Sequence, residues 1–426
     1  MSLPVSPSPS ESPALSPALS PAVSLAVSLA RDVDGVSLRD RAFSEMTTLR
    51  VGGSPAATLE CATSTALART VRGLDRAGVP LLVVGGGSNL VVGDDVSGLV
   101  AVVPVAGTPP SVVGVDAGGE VVVRAAAGTV WDDLVAWTVA QGDAGYGGLE
   151  CLSGIPGTVG AAPVQNIGAY GAEVSRCLHR VQLLDRSTGE LAWVEPGSLD
   201  LAYRYSNLKF TARGVVTAVE FRLTTDGLSA PLRFGELARR LGVSEKETAP
   251  RRPVRNVREA VLELRRGKGM VLDPADHDTW SAGSFFTNPV VEGEDARDAV
   301  AAKVTARCGA AVAGSMPCYP VTVPSGPRDG GAGGTDGGEA APAFKFSAAW
   351  LIEHAGFPKG WQVPAAQGGT GRAGLSTKHT LALTNRGGAS CSDIVALAVA
   401  VRDGVREAFG VSLVPEPVWV GVTLPE

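Results

Sequence analysis

Three side chains stand in settings where they could do chemistry: Arg204 in Tyr203-Arg204-Tyr205-Ser206, Ser284 in Ala282-Gly283-Ser284-Phe285-Phe286, and Glu416 between Pro415 and Pro417. An arginine after a polar turn can pair bidentately with a carboxylate or phosphate. An exposed arginine at a strand end is the plainer reading. Ser284 does not sit in the G-x-S-x-G elbow of hydrolases. A Ser–His–Asp triad through His379 or His354 is possible, but no family spacing supports one. A serine in a dry pocket can instead donate a proton, unless it merely caps a helix or turn. Glu416 has apolar neighbours in Val414, Val418 and Trp419. Burial there would raise its pKa and keep a neutral acid available; an exposed edge-strand glutamate is the alternative.

A second set of residues points to a ligand held by backbone. Residues 153–171 carry five glycines, three alanines and no charge. So many glycines would weaken a packed helix or strand, but they let backbone lie against something large and flat. Gln165 and Asn166 add amide donors and acceptors. VVGGGSN at 83–89 (Gly85, Gly86, Gly87, Ser88, Asn89) fails the Rossmann fingerprint, because Leu90 takes the third glycine position and strand follows where a helix should start. Its successive N–H groups can still form an anion nest. Thr48, Arg50 and Gly52 in TTLRVGG offer a hydroxyl, a cation and another glycine turn. Three such turns separated by strands suit a dinucleotide better than a lone phosphate, although plain glycine-rich loops would look similar. The basic cluster from Arg251 to Lys268, which includes Arg265, can hold a diphosphate or be a solvated helix face.

The elements that must position these residues are α/β in character. TLECATS reads as a strand, 64–77 as a helix capped by Ser64 with Gly78 beyond its end, and VPLLVVGGGSN as a buried strand entering a turn. A helix near 130–141 has Thr129 as cap and Asp132 as capping-box partner. VQLLDRSTGELAWVE is a hairpin. Helices are expected at 256–268, 294–307, 346–355 and 392–409, before strand character returns in SLVPEPVWVGVTL. Residues 1–29 are a Ser/Pro/Ala tract, read as a disordered tail or a start assigned too early. Residues 325–342 read as a mobile glycine-rich surface loop.

At 426 residues the chain has room for two or three domains. A net charge of −6 gives no global field for nucleic acid, so none is expected as a partner. The six cysteines are scattered without a C-x-x-C, which fits a reducing cytoplasm and neither a disulfide framework nor a zinc site. Only four histidines are present, so no metal centre is expected. No apolar run reaches the roughly 18 residues of a membrane span.

TTLRVGG, VVGGGSN, SGIPGTVGAAPVQNIGAYG, YRYSNLKF, AGSFFTNP, SAAWLIEHAGF and VPEPVWVG, in that order, resemble the landmarks of the UDP-N-acetylenolpyruvoylglucosamine reductase family, in the branch with an extra substrate-closing loop. The resemblance covers residue 37 to the C-terminus, apart from 325–342. It implies an α/β (α+β) fold of the p-cresol-methylhydroxylase/vanillyl-alcohol-oxidase type. Residues 1–36 would be a tail, 37–105 (joined by 412–426) and 106–250 two FAD-binding subdomains, and 251–411 a substrate domain.

It further implies non-covalent FAD, NADPH as co-substrate, and reduction of UDP-N-acetylglucosamine enolpyruvate by a cytoplasmic monomer in peptidoglycan precursor synthesis. FAD contacts would come from Thr48, Arg50, Gly52, Gly85, Gly86, Gly87, Ser88, Asn89, Ile155, Pro156, Gly157, Gly160, Ala161, Gln165, Asn166, Gly168 and Ala169. Arg204 and Glu416 match the pair that stabilises an enolate-like intermediate, Ser284 the proton donor, and Lys268, Asn288, Tyr319 and Lys359 the nucleotide-sugar contacts. Phe234 stands where this branch has a tyrosine on its closing loop, so a hydroxyl to the diphosphate is missing. Another FAD-linked oxidase or dehydrogenase of this fold is the alternative; so is a flavin- or nucleotide-binding regulator without turnover, against which the retention of all three catalytic positions counts.

Overall fold

The computed structural model describes residues 20–233, 235–321 and 342–425. The chain opens with helix α1 (Pro21–Asp32), whose N-cap Ser20 accepts from the Val23 N–H at 3.3 Å, with proline at the first helical position. The expectation of an unstructured tail through residue 36 therefore fails from Ser20 onward. A Cβ on Gly73 would lie 2.9 Å from Leu29, so that glycine lets α1 dock and bury Ala26 completely.

The first sheet contains β1 (Val36–Arg39), β2 (Ala57–Cys61), β3 (Leu81–Val83) and, after the short β4 (Leu90–Val92), β5 (Val100–Pro104). Its order is β1-β2-β5-β3, with β2 and β3 both parallel to β5. The crossover between β2 and β3 is α2 (Ser64–Arg76), capped by Thr63 rather than Ser64. Thr63 takes the Ala66 N–H, while Ser64 points sideways to the Thr217 carbonyl at 2.8 Å and ties the helix to the next sheet. Leu59, Leu74, Val100 and Val102 are fully buried between them. Each such side chain contributes about 1.5–3 kcal/mol.

The second sheet is antiparallel: β6 (Ser111–Val115), β7 (Val121–Ala126), then, beyond α3 (Trp131–Val139) and the two-residue hairpin β8 (Gly168–Ala169) and β9 (Ala172–Glu173), β10 (Leu178–Asp185), β11 (Leu191–Val194) and β12 (Gly214–Leu223), in the order β11-β10-β12-β7-β6. Trp131 of α3 meets Phe221 of β12 edge-on at 5.9 Å. The predicted Thr129 cap is absent: Val130 is the N-cap residue, and Thr129 Oγ1 is buried without a partner among the described residues. Asp132 instead accepts from Arg258 at 2.6 and 2.8 Å and from the Gly154 N–H at 2.6 Å.

The remaining chain builds a mixed region: α4 (Glu236–Arg240), α5 (Val254–Gly267), β13 (Val290–Glu292), α6 (Glu294–Cys308), α7 (Ala310–Ala313), β14 (Cys318–Val321), β15 (Ala343–Phe346), α8 (Ala348–His354), β16 (Ala373–Leu375), β17 (Leu383–Asn385) and α9 (Cys391–Phe409). Ser390 and Asp393 form a reciprocal capping box on α9. That helix buries Ile394, Leu397, Val401 and Val405. Finally β18 (Val418–Val420) runs back to pair in parallel with β4, which returns Glu416 to the glycine turn at 85–89. No described helix is long and apolar enough to cross a membrane. Most of the predicted 325–342 loop, and Phe234, lie outside the described residues.

Candidate active site

A single strap, residues 281–287, bent at Gly283 (φ of 77°), places the candidate serine. Ser281 bridges Thr384 on one side, and the Phe285 N–H donates to the Leu381 carbonyl at 2.8 Å. On the other side the Glu416 N–H donates to the Phe285 carbonyl at 2.8 Å. Ser284 and Glu416 are thus fixed by neighbouring backbone although 132 positions separate them, counting from 284 to 416. The Phe285 ring, fully buried, packs against Phe286 at 5.2 Å and Trp419 at 5.9 Å and keeps the strap from sliding. Thr48 holds its start, donating Oγ1–H to the Ser281 carbonyl at 2.6 Å.

Arg204 reaches the same place from the loop between β11 and β12. Its Nε lies 3.3 Å from Glu416 Oε1, and its Nη2 donates to the Gly168 carbonyl at 2.8 Å. The residue has φ of 56°, a left-handed conformation that a non-glycine residue holds only when its surroundings enforce it. One enforcer is Lys209, 5% exposed, which donates Nζ–H to the Arg204 carbonyl at 3.2 Å. Burial pushes the Glu416 carboxyl above its ordinary pKa, against the pull of Arg204 and then Lys209. Burial also pushes the Lys209 ammonium down, with Glu416 opposing. Ser284 Oγ lies 3.4 Å from His379 Nε2. Burial, then repulsion from Lys268 and Lys359, lowers His379 to about 4, so its ring is neutral at pH 7.

Arg204, Ser284 and Glu416 line one cleft of about 140 Å³. It shares Ser88, Asn89, Ile155, Pro156, Gln165 and Ile167 with a cavity of about 630 Å³. That larger cavity runs past Gly85–Gly87, Gly157, Gly160 and Ala161 towards Leu81, Pro104 and Val215. The N–H groups of Gly85 through Asn89 donate to no acceptor among the described residues, and Thr158 Oγ1 is likewise buried without a partner. Asn89 Nδ2 donates to Gln165 Oε1 at 2.6 Å, fixing both amides in the shared wall.

The glycines work differently from the expectation that they leave room for a ligand. A Cβ on Gly86 would sit 2.5 Å from Gly157 Cα, one on Gly87 2.0 Å from the Met46 carbonyl oxygen, and one on Gly160 2.6 Å from Ala127 Cβ. They let protein segments stack against one another, and the cavity forms between the stacked segments.

Several expected contacts do not line either space. Arg50 stacks on the Trp280 ring at 3.8 Å, and Gly52 packs against Phe43 and Val92. Buried Asn166 donates to Glu173 and the Ala202 carbonyl, and Ala169 belongs to the small β8–β9 hairpin. Thr48 holds the strap instead. Among the substrate candidates, Asn288 Oδ1 accepts the Ala348 N–H at 2.9 Å at the start of α8, and Lys268 pairs with Glu236. Lys359 is exposed, and Tyr319 projects from β14 at 58% exposure.

Comparison with known proteins shows the family. Residues 273–420 match the UDP-N-acetylenolpyruvoylglucosamine reductase C-terminal domain, and residues 55–195 an FAD binding domain. A UDP-N-acetylenolpyruvoylglucosamine reductase of Corynebacterium jeikeium is 62% identical over 92% of this chain and 92% of its own length. The chain belongs to the UDP-N-acetylenolpyruvoylglucosamine reductase family. A relative of the same name from Corynebacterium glutamicum is 55% identical over 92% of this chain and 97% of its own. The crystal structure of the Thermus caldophilus UDP-N-acetylenolpyruvylglucosamine reductase, 22% identical, shares the fold with a TM-score of 0.55 over 90% of this chain and 99% of that one.

The reductase is accordingly an FAD-dependent oxidoreductase with the expected α/β flavoprotein fold. The larger cavity fits that cofactor: its volume suits a large ligand, its free N–H groups and the Thr158 hydroxyl await polar partners, and no histidine or cysteine is among its described lining residues to tether the flavin. No cluster of metal-ligating side chains occurs among the described residues. Sequence reasoning missed Lys209, whose place in YRYSNLKF was its only signal. It left Arg265 open between an anion site and a solvated face, whereas that side chain lines the cleft with Nε buried and unpartnered among the described residues.

Proposed function

We propose that this reductase uses NADPH to reduce UDP-N-acetylglucosamine enolpyruvate to UDP-N-acetylmuramate in the cytoplasm. The observation that carries the reading is the convergence of Arg204, Ser284 and Glu416 on one cleft that shares a wall with the FAD-sized cavity. Gly85–Asn89, Ile155–Gly157, Gly160, Ala161 and Gln165 would hold the cofactor, chiefly through backbone and the Asn89–Gln165 pair, with Gly168 at the adjoining cleft. Bound there and reduced by NADPH, FAD would supply a hydride to the substrate.

Hydride addition to the terminal alkene carbon leaves negative charge on the carbon next to the substrate carboxylate. Arg204 neutralises that carboxylate as its charge grows. Glu416, whose burial favours the protonated form, shares a proton with it. Ser284 Oγ–H then protonates the carbanion, a general-acid step worth about 10²–10⁴ in rate. Because Gly168 and Lys209 fix Arg204 before substrate arrives, little reorganisation accompanies the step.

The test uses FAD-loaded protein. It is expected to oxidise NADPH steadily only when the enolpyruvyl nucleotide is supplied. FAD-loaded protein inert to that substrate would overturn the assignment.

A further inference from the structure

The turn that carries His379 is built to hold one ring still. Ser376 Oγ accepts the N–H groups of Lys378 and His379 at 3.0 and 3.2 Å. Asp278, 4% exposed, takes the Thr377 N–H at 2.9 Å and the Arg386 guanidinium at 2.6 Å. The His379 carbonyl accepts the Ala382 N–H at 3.0 Å, one residue from the Leu381 carbonyl that holds the serine strap. Turn and strap therefore form one backbone unit, and it sets the imidazole 3.4 Å from Ser284 Oγ. That separation is longer than a closed hydrogen bond, as proton-transfer partners commonly are before substrate binds.

Ser284 poses a chemical problem by itself. A serine hydroxyl is a weak acid, and in giving up its proton the oxygen becomes an alkoxide in a closed cleft. A neighbouring base would not help, because a base competes for the same proton. A fixed N–H donor would, since its hydrogen bond strengthens as charge grows on the oxygen.

We propose that His379 is a positioning residue for Ser284, with its imidazole in the Nε2–H tautomer donating to Ser284 Oγ and holding the alkoxide left when that hydroxyl protonates the substrate carbon. The step balances: the O–H bond of Ser284 breaks, the C–H bond forms, and water returns a proton to the oxygen after product leaves. His379 transfers no proton. Lys268 and Lys359 disfavour an imidazolium at this position and add positive potential for the alkoxide. The inference rests on the reading of Ser284 as the proton donor.

The experiment compares FAD-loaded wild type, His379→Phe and His379→Gln in separate half-reactions. Flavin reduction by NADPH is expected to stay within about threefold in both variants. Oxidation of the reduced flavin by enolpyruvyl substrate should slow about 10²-fold in His379→Phe with KM little changed. His379→Gln, whose side-chain amide is also a donor, should recover at least a tenth of wild-type rate. Equal slowing of both half-reactions, or no slowing of the second, would overturn the proposal. So would a glutamine variant no better than phenylalanine.

If His379→Phe does not fold, nitrogen-15 NMR of the wild-type holoenzyme decides. Of its four histidines, the signal missing in His379→Gln should be a neutral Nε2–H ring that shifts in Ser284→Ala. An Nδ1–H ring there would contradict the inference. Wild type that fails to reduce the substrate at all would sink the functional reading, whereas an active wild type with unaffected variants would sink only this one.

Discussion

The cofactor cavity and the reaction cleft share a wall but are made in different ways. The cavity is largely a product of backbone: its floor exists because Gly86 lies on the Gly157 backbone and Gly160 against the Ala127 methyl. The cleft is a product of side chains brought from four distant stretches, at 204, 265, 281–284 and 416, by a loop, a helix, a strap and the segment before a returning strand. A backbone-made site fails as a whole when its packing is disturbed. A side-chain-made site loses one chemical capability at a time.

The largest effect should come from breaking the floor. In Gly86→Val the new Cβ would lie 2.5 Å from Gly157 Cα, a clash with backbone that cannot swing aside. We expect protein purified without flavin, colourless at visible wavelengths, and both half-reactions lost. Flavin retained at wild-type stoichiometry would show that the segments do not need to touch.

Glu416→Gln should break the cleft alone. Flavin content and its reduction by NADPH should stay near wild type, while transfer to substrate falls about 10²–10³-fold, as when one transition-state stabiliser is removed. Parallel loss of both steps would mean that Glu416 supports the cavity as well.

His379 links the cleft to stability. Its folded pKa, about 4, lies below the ordinary histidine value, so the unfolded chain binds a proton that the folded one refuses. The contribution is present above pH 6.5 and is lost as pH falls towards 4, by up to about 3 kcal/mol. Urea denaturation at pH 7.5 and 4.5 should give a larger drop for wild type than for His379→Gln. Identical drops would mean that the ring is freely protonated in the folded state.

The smallest effect should be that of Asn288→Ala. If this residue belongs to the scaffold, losing its bond to the Ala348 N–H should cost about 1 kcal/mol of stability and leave KM unchanged. A raised KM with unaltered stability would move Asn288 into the cleft.

The same contrast explains what could be read in the chain. The glycine segments VVGGGSN and 153–171 point to a backbone-held ligand by composition, a composition that a plain glycine-rich loop shares. Their mechanism was not legible, because contacts such as Gly86 on Gly157 join segments 71 positions apart, from 86 to 157. Arg204, Ser284 and Glu416 each allowed a bland reading, and only their order against a known family set them together. Helix α1 was hidden in a Ser/Pro/Ala tract because its stability comes from docking, with Leu29 filling the space left by Gly73. Arg265 looked like part of a solvated helix face because helical periodicity cannot tell which charged residue turns inward.

The central claim is that the cleft performs the substrate chemistry and the cavity only holds the cofactor. Stopped-flow absorbance of FAD-loaded Ser284→Ala tests it most directly, following flavin bleaching by NADPH and then its return on mixing with enolpyruvyl substrate. We predict bleaching at a rate near wild type and a return slowed by about 10²–10⁴. A return as fast as wild type, or bleaching slowed to the same degree, would contradict the account.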